Sequence, residues 1–471
     1  MDQLTKSLNS DLIGNFNGLP DVLPVRRTLK KMKSFSIPVL FKSNLIGKIK
    51  EARRFGDKMK KNFEPSHFDF GPIEILISRH FGFCYGVENA VETAYRIVEE
   101  NPDKRIFLLS EMIHNPAVNA DLLDRGVEFI QDTLGNQLVA WDQLTSDDVV
   151  IVPAFGTTLE IQEILSNIGI DIYSYDTTCP FVEKVWNRSQ KLGETDHTIV
   201  VHGKLNHEET RATFSHSEKN APVIVLENMD DTKELGEFIE GKKNESAFFD
   251  FFKGKISKGF NPHSHLEKIG VINQTTMLAS ETQKITDYLR AVMENKYGKD
   301  AIKSHIADTR DTLCYATNDN QSATYGLLEK EADLAIVIGG HNSSNTTHLV
   351  ELLESKFTTF FISNQDAIFS KNEILSYDIH MQELKMNKEF LPEKESIRVI
   401  VTSGASCPDI IVDEVLQKIL LLIAVLCTVQ IANAQKVFLS ALFTGVPVNP
   451  NKNAFGSAAR ICLPKSPSCV L

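Results

Sequence analysis

From residue 72 onward the chain alternates short, almost wholly apolar runs with segments long enough to form helices. The runs are Ile73–Ile77, Arg105–Leu109, Val149–Val152, Ile172–Tyr175, Thr198–Val201, Val223–Leu226, Ile269–Ile272, Leu334–Ile338, Phe357–Ile362 and Ile397–Val401. A strand that is apolar on both faces must be covered on both faces, and strands joined by helix-length crossovers pair in parallel. The pattern therefore predicts an α/β protein of mainly parallel sheets flanked by helices. In such sheets ligands gather at the carboxyl ends of the strands, where loops meet helix N-termini. The polar motifs of this chain lie at those ends.

Three of the motifs carry a cysteine in similar company. Cys84, in His80-Phe81-Gly82-Phe83-Cys84-Tyr85-Gly86, opens a stretch with Val87, Ala90, Val91 and Ala94 at helical spacing. Cys179, in Asp176-Thr177-Thr178-Cys179-Pro180, opens one with Phe181, Val182, Val185 and Trp186. Cys314, in Asp311-Thr312-Leu313-Cys314-Tyr315, opens one with Gln321, Ala323 and Leu327. Three equivalent strand-to-helix turns suggest one cofactor held between three similar lobes in a quasi-threefold arrangement. The interval from Cys179 to Cys314 is the longer of the two. Its excess matches a stretch near 240–266, rich in Phe and then in Gly, Lys, His and Pro, that reads as a loop insertion. The expected division is a basic extension over 1–71 and lobes over 72–178, 179–308 and 309–407. A segment over 408–420 then returns to the first lobe, and 421–471 is an atypical tail.

Length and charge narrow the class. A chain of 471 residues is long enough for about three domains, and a net charge of -12 argues against a nucleic-acid partner. Seven cysteines leave at least one unpaired and, in a chain this long, read as metal or redox residues in a reduced compartment. Residues 1–71 are locally basic and contain an amphipathic pattern near Leu45–Met59, expected as a single helix in a solvated extension. Asp2, Asp11 and Asp21 fit poorly in an acid-poor targeting segment, so a bacterial cytoplasm is expected rather than a plastid. Near the end, Lys418, the apolar run Ile419–Val429 and Ala432-Asn433-Ala434 resemble a secretory signal in the wrong place. The run is short for a membrane span, so no membrane association is expected. Residues after about 420 are expected to come from a frameshift or fused reading frame, the alternative being a buried terminal helix with a divergent tail.

The cysteines lack the tight spacing of zinc knuckles and simple ferredoxins. Each begins a helix, where the positive dipole end favours a thiolate. Iron–sulfur clusters usually take four cysteines, so three imply a cluster with one iron left open to substrate. Cys407 is a further ligand candidate, although its loop Ser403-Gly404-Ala405-Ser406 reads better as an anion site. Gly339-Gly340-His341-Asn342-Ser343-Ser344-Asn345 and Asn273-Gln274-Thr275-Thr276 are similar turns after apolar strands. Hydroxyls, amides and backbone N–H groups at such turns would suit a diphosphate, while each alone reads equally as a helix cap. His114 and the cluster His207-Glu208-Glu209 are candidates for an anion contact and a proton donor. The sequence leaves open which of the two carboxylates points inward. A phosphate-binding protein with a structural Cys₃His zinc site remains the alternative at this level.

Together these motifs resemble the 4-hydroxy-3-methylbut-2-enyl diphosphate reductase family, the last enzymes of the non-mevalonate isoprenoid pathway. The resemblance rests on F-G-F-C-Y-G-V, E-M-I-H-N-P, D-T-T-C-P-F-V, H-G-K-L-N-H-E-E-T, N-Q-T-T-M, D-T-L-C-Y-A-T-N-D-N-Q, G-G-H-N-S-S-N-T-T-H-L and S-G-A-S-C-P-D, in order over about residues 72 to 418. It implies three α/β lobes around one 4Fe–4S cluster held by Cys84, Cys179 and Cys314, with an open iron for the allylic diphosphate substrate. It also implies reduced ferredoxin or flavodoxin as electron donor. Glu209 would supply the proton that lets the hydroxyl leave, with Thr275 in the same network. His114, His207, Thr276, Ser343, Ser344, Asn345 and Ser406 would hold the diphosphate. Many bacterial members carry histidine in an A-H-G turn, whereas this chain has Pro153-Ala154-Phe155-Gly156. Phenylalanine donates no hydrogen bond, so that contact is expected to be lost or taken over by Thr157 or Thr158.

Overall fold

The computed structural model describes residues 36–57, 61–307, 312 and 314–424. Three sheets form the framework. The largest has five strands in the order Ser66–Asp69, Ile73–Ile77, Ile397–Ser403, Leu334–Ile338 and Thr358–Ile362. Its first pair is antiparallel and the rest are parallel. A second sheet holds Val127–Phe129, Ile106–Leu108 and Val149–Ile151, all parallel. The third holds Val223–Leu226, Thr198–His202 and Ile269–Asn273, again all parallel. Strands such as Leu334–Ile338 and Thr198–His202 are buried at every position, which is why they read as unbroken apolar runs. The exposed hairpin of Glu373–Asp378 and Glu383–Lys388 lacks that signal. Among the described residues no helix is long and apolar enough to cross a membrane.

Several expectations change in three dimensions. Strand Ile73–Ile77, assigned from sequence to the first lobe, pairs with Ile397–Val401 in the sheet of the last lobe. The helix Asp409–Ala424 packs on that same sheet, not on the Ile106–Ile151 sheet. It also continues past 420; the rest of the tail lies outside the described residues. Ile172–Tyr175 forms no strand, only the approach to a single parallel bridge between Val152 and Asp176. A similar parallel bridge joins Ile269 and Ile306 in the third sheet. The stretch expected as a loop insertion contains helices Glu245–Phe251 and Pro262–His265. Its Phe248, Phe252 and Phe260 are buried in the core of that lobe.

The basic extension is also part of the fold over its described residues. Helix Asn44–Gly56 is capped by Ser43, whose Oγ accepts the Ile46 N–H and donates to Asp413 at 2.7 Å. Leu45, Ile46 and Ile49 enter the core beside Val412 and Leu416. Each buried aliphatic side chain of this kind contributes about 1.5–3 kcal/mol, enough to outweigh the solvation of a charged opposite face. Lys50 pairs with Asp409 at 2.6 Å. Arg53 donates to the carbonyls of Ile77 (3.0 Å), Ser78 (2.5 Å) and Arg79 (3.1 Å), and to Ser66 Oγ. It thereby closes the end of the strand that leads into the Cys84 loop. The charges are visible in the sequence; the carbonyls they serve are not.

Candidate active site

Each of the three cysteines is the N-cap residue of a helix: Tyr85–Glu100, Pro180–Gly193 and Tyr315–Leu328. All three have extended backbone and none of their side chains caps its helix by a hydrogen bond. The thiols are thus held at helix N-termini without being consumed there. Backbone bonds fix the turns: the Cys84 N–H donates to Ala405 O at 3.2 Å and the Cys179 N–H to Ala154 O at 3.0 Å. Gly86, one turn-start away from Cys84, has no room for a side chain, because a Cβ there would overlap Cys179 Sγ. Two of the three cysteines therefore meet across Gly86.

Cys314 is buried and the other two are half-buried. Burial pushes the Cys84 thiol up to about 12, with the neighbouring Cys314 and Cys179 adding to it and the Val87 and Gly86 N–H groups opposing it. Cys179 is likewise pushed up to about 12, mainly by burial, then by Cys314 and Glu209. Cys314 is raised by burial, with Glu209 again contributing. Three neighbouring thiols at helix N-termini, each costly to ionise in its buried setting, form a donor set whose thiolate forms a positively charged metal group would stabilise. Among the described residues no three His, Cys, Asp or Glu side chains converge tightly enough to hold a single metal ion. Three thiols are of the donor type that an iron–sulfur cluster takes. Cys407 stands apart: its buried thiol lies in the core with Val412 and Val415, and its charged neighbours are Asp409 and Lys50.

Glu209 lies beside this trio and is only 1% exposed. It is on the second residue of helix Glu208–Glu218, and its side chain turns to the Asn273–Thr276 loop. Thr275 donates to it twice, from the amide and from the hydroxyl. Burial nonetheless pushes Glu209 up to about 7, with the two Thr275 bonds and His114 pulling down. A carboxyl group poised near neutrality can hold a proton and deliver it.

Glu208 is buried as well, but faces the opposite wall. Its Oε2 lies 2.7 Å from His114 Nε2, and its Oε1 accepts from the Ser110 hydroxyl. The ambiguity of adjacent carboxylates is thereby resolved into two separate networks. His207 caps their helix, its Nδ1 accepting the Glu209 N–H at 3.1 Å. That bond leaves the proton of the neutral ring on Nε2, which is buried without a partner. Burial, then His114, Lys204 and Arg211 nearby, hold His207 well below its ordinary range, so the ring is neutral and its Nε2 carries the proton.

Phe155, in place of the expected histidine, stacks on His114 at 4.3 Å and meets His207 edge-on at 5.6 Å. It orients both imidazoles instead of donating to a ligand. Thr157 and Thr158 line a cavity of about 220 Å³ on the far side of Glu208 together with Ser110 and Arg211. The structure assigns them no part in the serine and histidine network.

The remaining turns close the site. Ser343 caps helix Ser344–Glu354, and its Oγ lies 3.4 Å from that of Ser406. Ser406 Oγ also donates to His114 O at 3.1 Å. Asn345 accepts the Ala405 N–H with Oδ1, while its Nδ2 is buried without a partner. Thr276 accepts from Gln274 Nε2 at 2.6 Å, and the same amide reaches Ser344 Oγ at 3.3 Å. Gly340 brings its backbone so near His114 that a Cβ would stand 2.5 Å from His114 O. His114, His207, Thr276, Ser343, Ser344, Asn345 and Ser406 are therefore linked through contiguous turns. Gln274, named from sequence within the Asn273–Thr276 turn but given no role of its own, is the hub: its Oε1 also accepts from Lys204 N and Thr210 Oγ1. Two amide side chains, Asn273 and Gln274, directly after the apolar run Ile269–Ile272 were the available signal.

The sequence model of the LytB protein family matches residues 75–420. A 4-hydroxy-3-methylbut-2-enyl diphosphate reductase of Prochlorococcus marinus subsp. pastoris is 39% identical over 351 residues, covering 74% of this chain and 86% of the relative. The enzyme of the same name from Parasynechococcus marenigrum is 37% identical over 388 residues, covering 82% and 92%. In fold, the chain is similar to the E-1-hydroxy-2-methyl-but-2-enyl-4-diphosphate reductase of Plasmodium falciparum, with a TM-score of 0.53 at 20% identity over 74% of this chain and 88% of that one. On the extent of the family match and the identity to these reductases, the chain belongs to the LytB family.

Proposed function

We propose that the chain catalyses the reductive dehydroxylation of 4-hydroxy-3-methylbut-2-enyl diphosphate to isopentenyl and dimethylallyl diphosphates, the last step of the non-mevalonate pathway. The observation that carries this reading is the placement of one near-neutral carboxyl, Glu209, beside three cysteines and at the edge of a serine, asparagine and histidine cradle. Loss of the hydroxyl as water takes up two electrons and two protons. A 4Fe–4S cluster on Cys84, Cys179 and Cys314 would supply the electrons and a Lewis-acidic iron for the hydroxyl.

The protein residues do the rest. Among the described residues the His207 Nε2–H and Asn345 Nδ2 are buried donors with no partner, which suits acceptor-only phosphate oxygens. With His114, Thr276, Ser343, Ser344 and Ser406 they would hold the diphosphate and aim the allylic end at the cysteines. Glu209 would give its proton to the departing hydroxyl, with Thr275 fixing the carboxyl's direction. Glu209, Thr275, Ser343, Ser344 and Asn345 are all buried, a setting in which such contacts act strongly. Reduced ferredoxin or flavodoxin is the proposed electron donor, and a bacterial cytoplasm the proposed setting.

Anaerobic purification and assay test the reading. The protein should be brown, contain iron and sulfide, bleach in air, and convert the hydroxylated diphosphate when given a chemical reductant. Colourless protein with stoichiometric zinc and no turnover would overturn it.

A further inference from the structure

Glu208 is a buried carboxylate that the proposed reaction does not use. It is 6% exposed and sits on the first residue of its helix. One oxygen accepts from Ser110 and the other lies 2.7 Å from His114 Nε2. As a carboxylate Glu208 can only accept; His114 Nε2 then supplies the proton between them, and Nδ1 is the ring nitrogen left for a ligand. The ring is held in that orientation by the Phe155 face at 4.3 Å and the His207 edge at 5.0 Å.

A diphosphate oxygen is also only an acceptor. Contact with His114 Nδ1 requires a second proton on the ring, which makes it an imidazolium. Isolated in this buried setting such a cation would be costly; beside Glu208 it is paired. His207 would meet the anion only as a neutral Nε2–H donor, because its Nδ1 accepts the Glu209 N–H. The other charged groups facing His114 are Glu111 and Glu209. Glu111 is engaged by Asn342, and Glu209 by Thr275. Among the charged groups of the described residues, Glu208 is the one bonded to the ring.

We propose that Glu208 is a positioning residue that holds His114 in register and provides the counter-charge for the imidazolium that grips the substrate's diphosphate. The two adjacent carboxylates thus divide the work, Glu209 toward the hydroxyl and Glu208 toward the anionic end. This inference rests on the assignment of His114 to the diphosphate. It predicts an effect on binding, since the paired imidazolium is needed once the anion is in place.

Glu208→Gln keeps an oxygen that can accept from His114 while removing the charge. In the cluster-loaded enzyme it should raise KM for the substrate about tenfold and change kcat little. Binding of inorganic diphosphate to the loaded protein, measured without turnover, should weaken by a similar factor. On a His114→Asn background the Glu208→Gln change should add almost nothing, whereas a merely structural role would persist. Ser110→Ala should show the same pattern more weakly, and decides the matter if Glu208→Gln does not fold. An unchanged KM and unchanged diphosphate binding in the folded variant, or additive effects in the double variant, would overturn the proposal. Wild-type enzyme that binds inorganic diphosphate but does not turn over the allylic substrate would count against the proposed function alone.

Discussion

Thr275 holds both oxygens of Glu209, its amide nitrogen 2.5 Å from Oε1 and its hydroxyl 2.9 Å from Oε2. The carboxyl therefore has a set direction even though burial favours its protonated form. Replacing it by glutamine keeps shape and direction and removes the transferable proton. Glu209→Gln is expected to keep iron content and substrate binding while kcat falls about 100-fold or more, read by anaerobic steady-state kinetics.

The pH dependence has a definite sign. Glu209 is pushed up to about 7, so the proton donor is present below that pH and turnover should fall as pH rises through about 7. The Thr275 hydroxyl stabilises the ionised form, so Thr275→Val should move the falling limb to higher pH. The same group affects stability. The folded protein keeps a proton that the unfolded chain releases near the ordinary value of 4.5, so Glu209 costs stability as pH rises from about 4.5 to about 7. Glu209→Gln should flatten the change in denaturation midpoint across that window.

Gly86 faces Cys179 with no space for a methyl group. Its backbone is ordinary helix, so alanine there strains the thiol and not the chain. Gly86→Ala is expected to fold with native far-UV circular dichroism but to retain much less iron per chain than the wild type after anaerobic loading.

The cysteines separate by the same assay. Cys84→Ser, Cys179→Ser and Cys314→Ser should each lose the stable cluster, since a hydroxyl is a poor ligand for iron–sulfur groups. Cys407→Ala should keep its iron, because that thiol belongs to the hydrophobic core and neighbours Asp409 and Lys50. Iron and sulfide analysis of the four proteins checks both statements.

Arg53 serves three carbonyls at the end of strand Ile73–Ile77. Arg53→Met keeps the apolar stem and removes the donors, leaving carbonyls short of partners. It should lower folding stability by about 2–3 kcal/mol in denaturant titration.

The sequence by itself determined the local structure and the chemistry available. Runs such as Leu334–Ile338 and Val223–Leu226 are strands because all their side chains are buried. The three cysteines cap helices because apolar residues at helical spacing follow each of them. Motif order also carried the family, since it depends on residue identity alone. Only the tertiary structure decided which partners these elements meet. Ile73–Ile77 reads the same whichever sheet receives it, and its neighbours in space are about 325 positions away in the chain. The helix Asn44–Gly56 and the Phe248–Phe260 stretch looked like appendages because the cores that accept them come from distant segments. The adjacent Glu208 and Glu209 are the sharpest case. Consecutive helical residues point about 100° apart, so two identical side chains reach opposite walls, and no pattern in one strand of text records which wall carries Thr275 and which carries His114.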